Sequence, residues 1–248
     1  MIPDLTIGDV TIDCANAERA RDFYANLMGW EKTTAFGALA VKTDNGMTIL
    51  FWEPDISYVP PVWPEEPGKQ QKQMHLDFVV DKLRPSVKRA TRLGATKAAK
   101  QYGGKEYVTM FDPEGHPFCL CKGKSKSPLG ISGPHINIDC QKYETLLAFY
   151  AKLTPWEQPN EYLLLADHGL TVHCMGCDGD FDYIPPVWPE ESGKQQKQMH
   201  FNFQVDDLQT AVEEAIRLGA TKAANQYGGE HFVTLLDTEG HPFCLCKR

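Results

Sequence analysis

Two long stretches of this chain are near copies of each other, offset by 125 residues. Pro60-Pro61-Val62-Trp63-Pro64-Glu65 returns from Pro185, and the same offset carries His75 to His200, Asp112 to Asp237 and Cys119 to Cys244. A period this long marks a duplicated domain rather than a short-period solenoid. The length of 248 residues fits two domains of ordinary size. The fold must therefore accommodate two related bodies, each with its own version of any pocket.

Local pattern subdivides each copy. Residues 8–14 alternate polar and apolar, as a half-buried strand does. Asn16 can cap a helix over 17–28, with Ala20, Phe23, Tyr24 and Leu27 at helical spacing and Gly29 as the stop. Strands are expected near 32–35, 38–42 and 47–52. The proline-rich connector 54–67 cannot be regular structure. The order then returns: a strand at 73–80, a helix at 84–93 ended by Gly94, and strands at 96–99, 107–111 and 118–122. Residues 123–133 read as a solvated linker, dividing a first domain (1–122) from a second (134–248). The second copy repeats the pattern, so the chain is four βαβββ units and the fold class is α+β. Short basic patches such as Lys69 to Lys72 read as solvated loops.

The net charge of −8 opposes nucleic acid or an anionic membrane as partner, since both call for clustered cations. No secretory signal or membrane span is expected, and the eight cysteines, mostly repeat partners, fit a reducing cytoplasm. Phosphate loops, dinucleotide fingerprints and nucleophile elbows find no match. The expected partner is a small molecule, bound by a monomer or homodimer.

Four βαβββ units, Gln-Met-His opening one strand, and Asp-Pro-Glu-Gly-His-Pro-Phe-Cys-Leu closing another resemble the vicinal oxygen chelate superfamily. That group holds glyoxalase I, extradiol dioxygenases and bleomycin-resistance proteins. The resemblance implies two glyoxalase-like domains, each enclosing a cavity, with metal ligands from the first and fourth strands of paired units. Those positions here are Asp9, His135, His75 and His200 on first strands, and Leu50, His173, Cys119 and Cys244 on fourth strands. Cysteine where metal-dependent members usually carry glutamate argues against ordinary glyoxalase I activity.

Strand alternation puts His135, Asn137 and Asp139 on one face, and His200, Asn202 and Gln204 on another. The linker favours pairing of units within each repeat. On that pairing His135, His173 and His200 would hold one divalent transition metal (zinc, iron, nickel or manganese), with Cys244 as fourth ligand or catalytic base. Asn137, Asn202, Trp188 and Tyr227 would bind substrate. The first copy offers His75, Cys119, Trp52 and Trp63, but Leu50 cannot ligate. If unit three pairs with unit two instead, the set becomes His135, His173, His75 and Cys119. The implied function is a metal-dependent lyase, isomerase or oxygenase acting on a small oxygenated substrate. The alternative is a metal-free protein that binds or sequesters a small molecule. His116 and His241, beside glycine turns, read as structural.

Overall fold

The computed structural model describes residues 1–177 and 182–248. Unit one contains β1 (Thr6–Asp13), α1 (Ala17–Met28), β2 (Glu31–Ala35), β3 (Ala38–Lys42) and β4 (Thr48–Trp52). Unit two contains β5 (Met74–Val80), α2 (Leu83–Arg92), β6 (Thr96–Lys97), β7 (Tyr107–Phe111) and β8 (Pro117–Lys122). Unit three contains β9 (Ile131–Cys140), α3 (Tyr143–Leu153), β10 (Glu157–Asn160), β11 (Leu163–Leu165) and β12 (Thr171–Gly176). Unit four contains β13 (Met199–Val205), α4 (Leu208–Arg217), β14 (Thr221–Lys222), β15 (Phe232–Leu236) and β16 (Pro242–Lys247). Local chemistry sets several boundaries. The Asn16 side chain accepts from Arg19 N at 2.7 Å to start α1, and Gly29 ends it in the left-handed region. Among the described residues no helix is long and apolar enough to cross a membrane.

Pairing of the units corrects the expectation from the linker. There are two sheets of eight strands, in the orders β14-β15-β16-β13-β1-β4-β3-β2 and β10-β11-β12-β9-β5-β8-β7-β6. Unit one therefore joins unit four, and unit two joins unit three, so each sheet takes one unit from each repeat. The linker does not separate sheets: Ile131–Gly133 already belong to β9, which lies antiparallel to β5.

Each repeat is nevertheless tied together by its helices and closing turns. Tyr24 of α1 stacks on Phe51 of its own sheet and tilts against Phe78 of the other, while Phe23 meets Phe118. Tyr150 of α3 packs likewise against Phe201, Phe203 and Phe243 across the sheets. The result is one continuous apolar core.

The Asp-Pro-Glu-Gly-His turn supplies the polar half of this joint. Asp112 Oδ1 accepts from Glu114 N and His116 N, and Tyr24 OH donates to Asp112 Oδ2 at 2.9 Å. His116 bridges Asp112 Oδ2 (2.8 Å) and the Asp13 carbonyl (2.7 Å), and Asn16 N donates to Glu114 Oε2. The second copy builds the same joint from Asp237, Tyr150, His241 and the Asp139 carbonyl. Gly115 is held to glycine twice over, by φ 90° and by Pro60 Cβ, which would lie 2.5 Å from an added Cβ. Both histidines are thus structural, as their place beside the turns suggested.

The Lys-Gln-Gln-Lys-Gln segments, read from sequence as solvated, are largely buried: Gln71, Lys72, Gln73 and Gln195 through Gln198 all lose solvent. The two copies lie side by side and exchange side-chain amides for missing strand partners. Gln71 N donates to Gln195 Oε1 (2.8 Å), Gln195 Nε2 to the Lys69 carbonyl (2.7 Å), and Gln198 Nε2 to the Gln71 carbonyl (2.7 Å). A glutamine amide offers one donor group and one acceptor, as a peptide unit does, so it can satisfy buried backbone without a ladder. The polarity that looks like a solvent signature is here the means of burial.

Candidate functional site

The second sheet brings together residues the first-choice pairing would have kept apart. On β5, His75 and Asp77 are two residues apart and share a face, while Met74, Leu76 and Phe78 fill the core behind them. His75 is in register with Asn137 and Asp77 with His135 on β9, and His173 of β12 is in register with Asn137. On the other side Asp77 faces Cys119 of β8, and Cys119 faces Thr109 of β7. One donor atom each of His75, Asp77 and Cys119 lie within 4.8 Å of one another.

These side chains line a cavity of about 310 Å³. Its wall also includes Lys72, Tyr107, Thr109, Asn137 and Trp63. Trp63, on the proline connector, stands edge-on to Tyr102, with ring centres 5.4 Å apart. Lys72 is ion-paired with Asp139. Burial opposes its charge, but the facing carboxylate overcomes this and holds Lys72 above the ordinary lysine range.

Burial sets the protonation of the candidate ligands. Burial, then Lys72 and His173, push His75 well down, so its imidazole is neutral and able to ligate. Burial raises Asp77 and pushes the Cys119 thiol up to about 12. His75 Nδ1 and Asp77 Oδ1 are buried without a hydrogen-bond partner in the protein. Asp77 Oδ1 lies 3.5 Å from His75 Nε2, an ion-pair distance with no hydrogen bond made. Orphaned polar atoms converging on a cavity wall are costly unless something else bonds them. A neutral imidazole, a carboxylate and a thiol together fit zinc, iron or a similar borderline metal.

The expected three-histidine set does not assemble. His135 and His173 stand on the second sheet, whereas His200 is on the first, in register with Thr11. The physical reason is the pairing of unit four with unit one. Cys244 is likewise on the first sheet, 3.5 Å from Thr234 Oγ1, and burial pushes its thiol to about 11, which keeps it protonated at neutral pH. His135 shares a hydrogen bond with Thr171 (2.5 Å), and burial lowers both His135 and His173. Of the alternative set, His75 and Cys119 meet within the donor cluster, while His135 and His173 stand on the adjoining strands, opposite Asp77 and Asn137, and belong neither to that cluster nor to the cavity wall. Asp77 is the residue sequence reasoning passed over as a ligand, although its spacing from His75 already put it on the same face.

On the first sheet Asn202 occupies the position of Asp77, and Leu50 that of His173. The carboxylate comes instead from Asp9, one strand over. Asn202 Nδ2 donates to Asp9 Oδ1 (2.5 Å) and to Thr11 Oγ1 (2.9 Å). Lys197 pairs with Asp13 and lies 5.5 Å from the Trp188 ring centre, and Trp188 meets Tyr227 at 6.0 Å. Trp52 closes β4 and is 50% exposed.

Burial raises Asp9 to about 6, against hydrogen bonds from Asn202 and Thr11 that favour its ionised form. Between its ordinary value of 3.8 and about 6, the folded protein holds this proton more tightly than the unfolded chain. Stability should therefore fall as pH rises through that window, by about 3 kcal/mol for this group. Asp9→Asn should flatten that slope, which urea unfolding of both proteins from pH 4 to 6.5 would measure. Parallel pH profiles would refute the burial argument.

The family model for the glyoxalase-like domain matches residues 9–121 and again residues 135–246. The chain belongs to the glyoxalase-like domain family. The glyoxalase-like chain is similar in fold to glyoxalase I from Zea mays, with TM-score 0.66, 13% identity, and 98% of this chain and 92% of that one covered. It is also similar to a proposed dioxygenase from Bacillus subtilis, with TM-score 0.59, 13% identity, and 100% and 86% covered. No curated protein matches the sequence. Membership of the vicinal oxygen chelate superfamily thus rests on the whole chain, and the two matched segments coincide with the two repeats rather than with the two sheets.

Proposed function

We propose that the cavity on the second sheet is the catalytic site of a metal-dependent enzyme acting on a small oxygenated substrate, as a lyase, isomerase or oxygenase. The carrying observation is the cluster of His75, Asp77 and Cys119, with His75 Nδ1 and Asp77 Oδ1 unbonded at its wall. These three residues would hold the metal. When bound, a divalent transition metal supplies Lewis-acid polarisation of a carbonyl or enediolate oxygen. Asn137 stands on the same wall and would orient a substrate oxygen. Lys72, kept cationic by Asp139, would attract developing negative charge. Trp63 would cover the substrate and limit water.

A metal-free binding role is the second reading, and Lys72 favours it. Its charge already acts on His75, Asp77 and Cys119 without any ion. The test is metal content after purification without tag or chelator, followed by titration with zinc, iron, nickel and manganese. About one ion per chain is expected. No uptake of any of the four, with ligand-dependent quenching of tryptophan fluorescence, would replace the enzyme by the binding protein.

A further inference from the structure

A second concavity lies on the opposite, helix-bearing face of the same sheet. It has a volume of about 750 Å³ and gathers Lys82, Arg84, Lys88, Lys97, Lys105 and Lys122 around the start of α2, against a single carboxylate, Asp81. Val108 and Lys122 belong to it, whereas Tyr107, Thr109 and Cys121 face the first cavity, so strand alternation separates the two. Among the described residues none of the six cations has an ion-pair partner. In a chain of net charge −8, such a concentration of unpaired cations is not the average surface.

The internal duplication supplies the control. Around this cleft, the 125-residue offset changes Lys82 to Asp207, Arg84 to Gln209, Lys88 to Glu213 and Lys105 to Glu230. Leu83, Val87, Lys97 and Lys122 keep their residue types in Leu208, Val212, Lys222 and Lys247. The framework is retained while the charge is reversed. Asp207 caps α4 by accepting from Thr210 N, but Lys82 gives α2 no side-chain cap and puts a cation at the positive end of its dipole. Unit four thus carries the locally favourable arrangement, and unit two departs from it. An anion in the cleft would bond the open amides and neutralise the cations together.

We propose that this cleft is a binding site for a soluble, multiply phosphorylated small molecule, separate from the cavity on the other face. The cleft is open to solvent along one side, and its volume of about 750 Å³ admits a small ligand. All six cations are solvent-exposed, so affinity should depend strongly on salt.

The probe is inorganic tripolyphosphate, titrated calorimetrically into the full chain at about 50 and 200 mM salt. The comparison is a variant that copies unit four: Lys82→Asp, Arg84→Gln, Lys88→Glu and Lys105→Glu together. These residues already sit on the same framework in α4 and its neighbours, and the variant should fold, as circular dichroism would verify. Expected are salt-sensitive binding by the natural chain, amide shifts at Leu83 and Arg84, and an affinity loss of at least about tenfold in the variant. No binding at low salt, or equal binding by the variant, would overturn the proposal. Binding of RNA or anionic vesicles without tripolyphosphate binding would overturn the small-molecule assignment.

Discussion

Asp77→Asn should lower affinity for a divalent transition metal by more than about 100-fold, because second-shell partners alone are typically worth 10–100-fold and this change removes a ligand carboxylate. The substitution is mild in shape, and the protein already carries it: Asn202 holds the corresponding position on the first sheet. Its effect without metal has the opposite sign. Burial raises Asp77, so the ionised carboxylate is held at a cost in the folded protein. Relieving that cost should leave the metal-free variant as stable as the natural protein, or more so. Competition titration against a chromogenic chelator and thermal unfolding in the absence of metal measure the two halves. Unchanged affinity would remove Asp77 from the ligand set. Lost affinity with a destabilised protein would show a structural carboxylate instead.

A second large effect is expected at the closing turn, outside the donor cluster. His116→Ala should destabilise the fold by about 3 kcal/mol, the low end for breaking a buried charge pair, since Tyr24 and two backbone amides still bond Asp112. For a chain of this size that is a fall of roughly 6–12 °C in melting temperature. The pH dependence identifies the cause. Burial opposes the His116 charge, but Asp112 overcomes it and raises the histidine above 6.5. That stabilisation is complete below about pH 6.5 and disappears as pH rises through the raised value. Burial works against Asp112 too, yet His116 draws it below 3.8, so its share is lost as pH falls through the lowered value. The difference between natural and variant protein should therefore be greatest between about pH 4 and 6.5 and shrink towards alkaline pH. Urea unfolding at a series of pH values tests this, and a difference independent of pH would mean that His116 is held neutral.

The two expectations separate two kinds of information in the chain. Element identity was legible because it is local. Asn16 and Gly29 bound α1, alternation marks β5 and β13, and the Asp112 and Asp237 turns follow from their own side chains. The faces of the strands were legible for the same reason, so Asn137 beside His135, and Asp77 beside His75, could be placed without knowing their neighbours. Lys72 and the glutamines were misread because composition reports polarity and not the partner that satisfies it.

By itself, the sequence determined four units, their strand faces and the turn that joins the units of each repeat. Only the tertiary structure decided which first strands meet. Units one and three both present an open first strand, and backbone hydrogen bonds across that edge carry no residue code. The choice falls to non-local packing, to α1 and α3 wedged between sheets and to the exchange of glutamine amides between the copies. That choice sets His200 against Thr11 and Asn202 against Asp9, and sets His135 against Asp77 and Asn137 against His75, with His173 one strand further on.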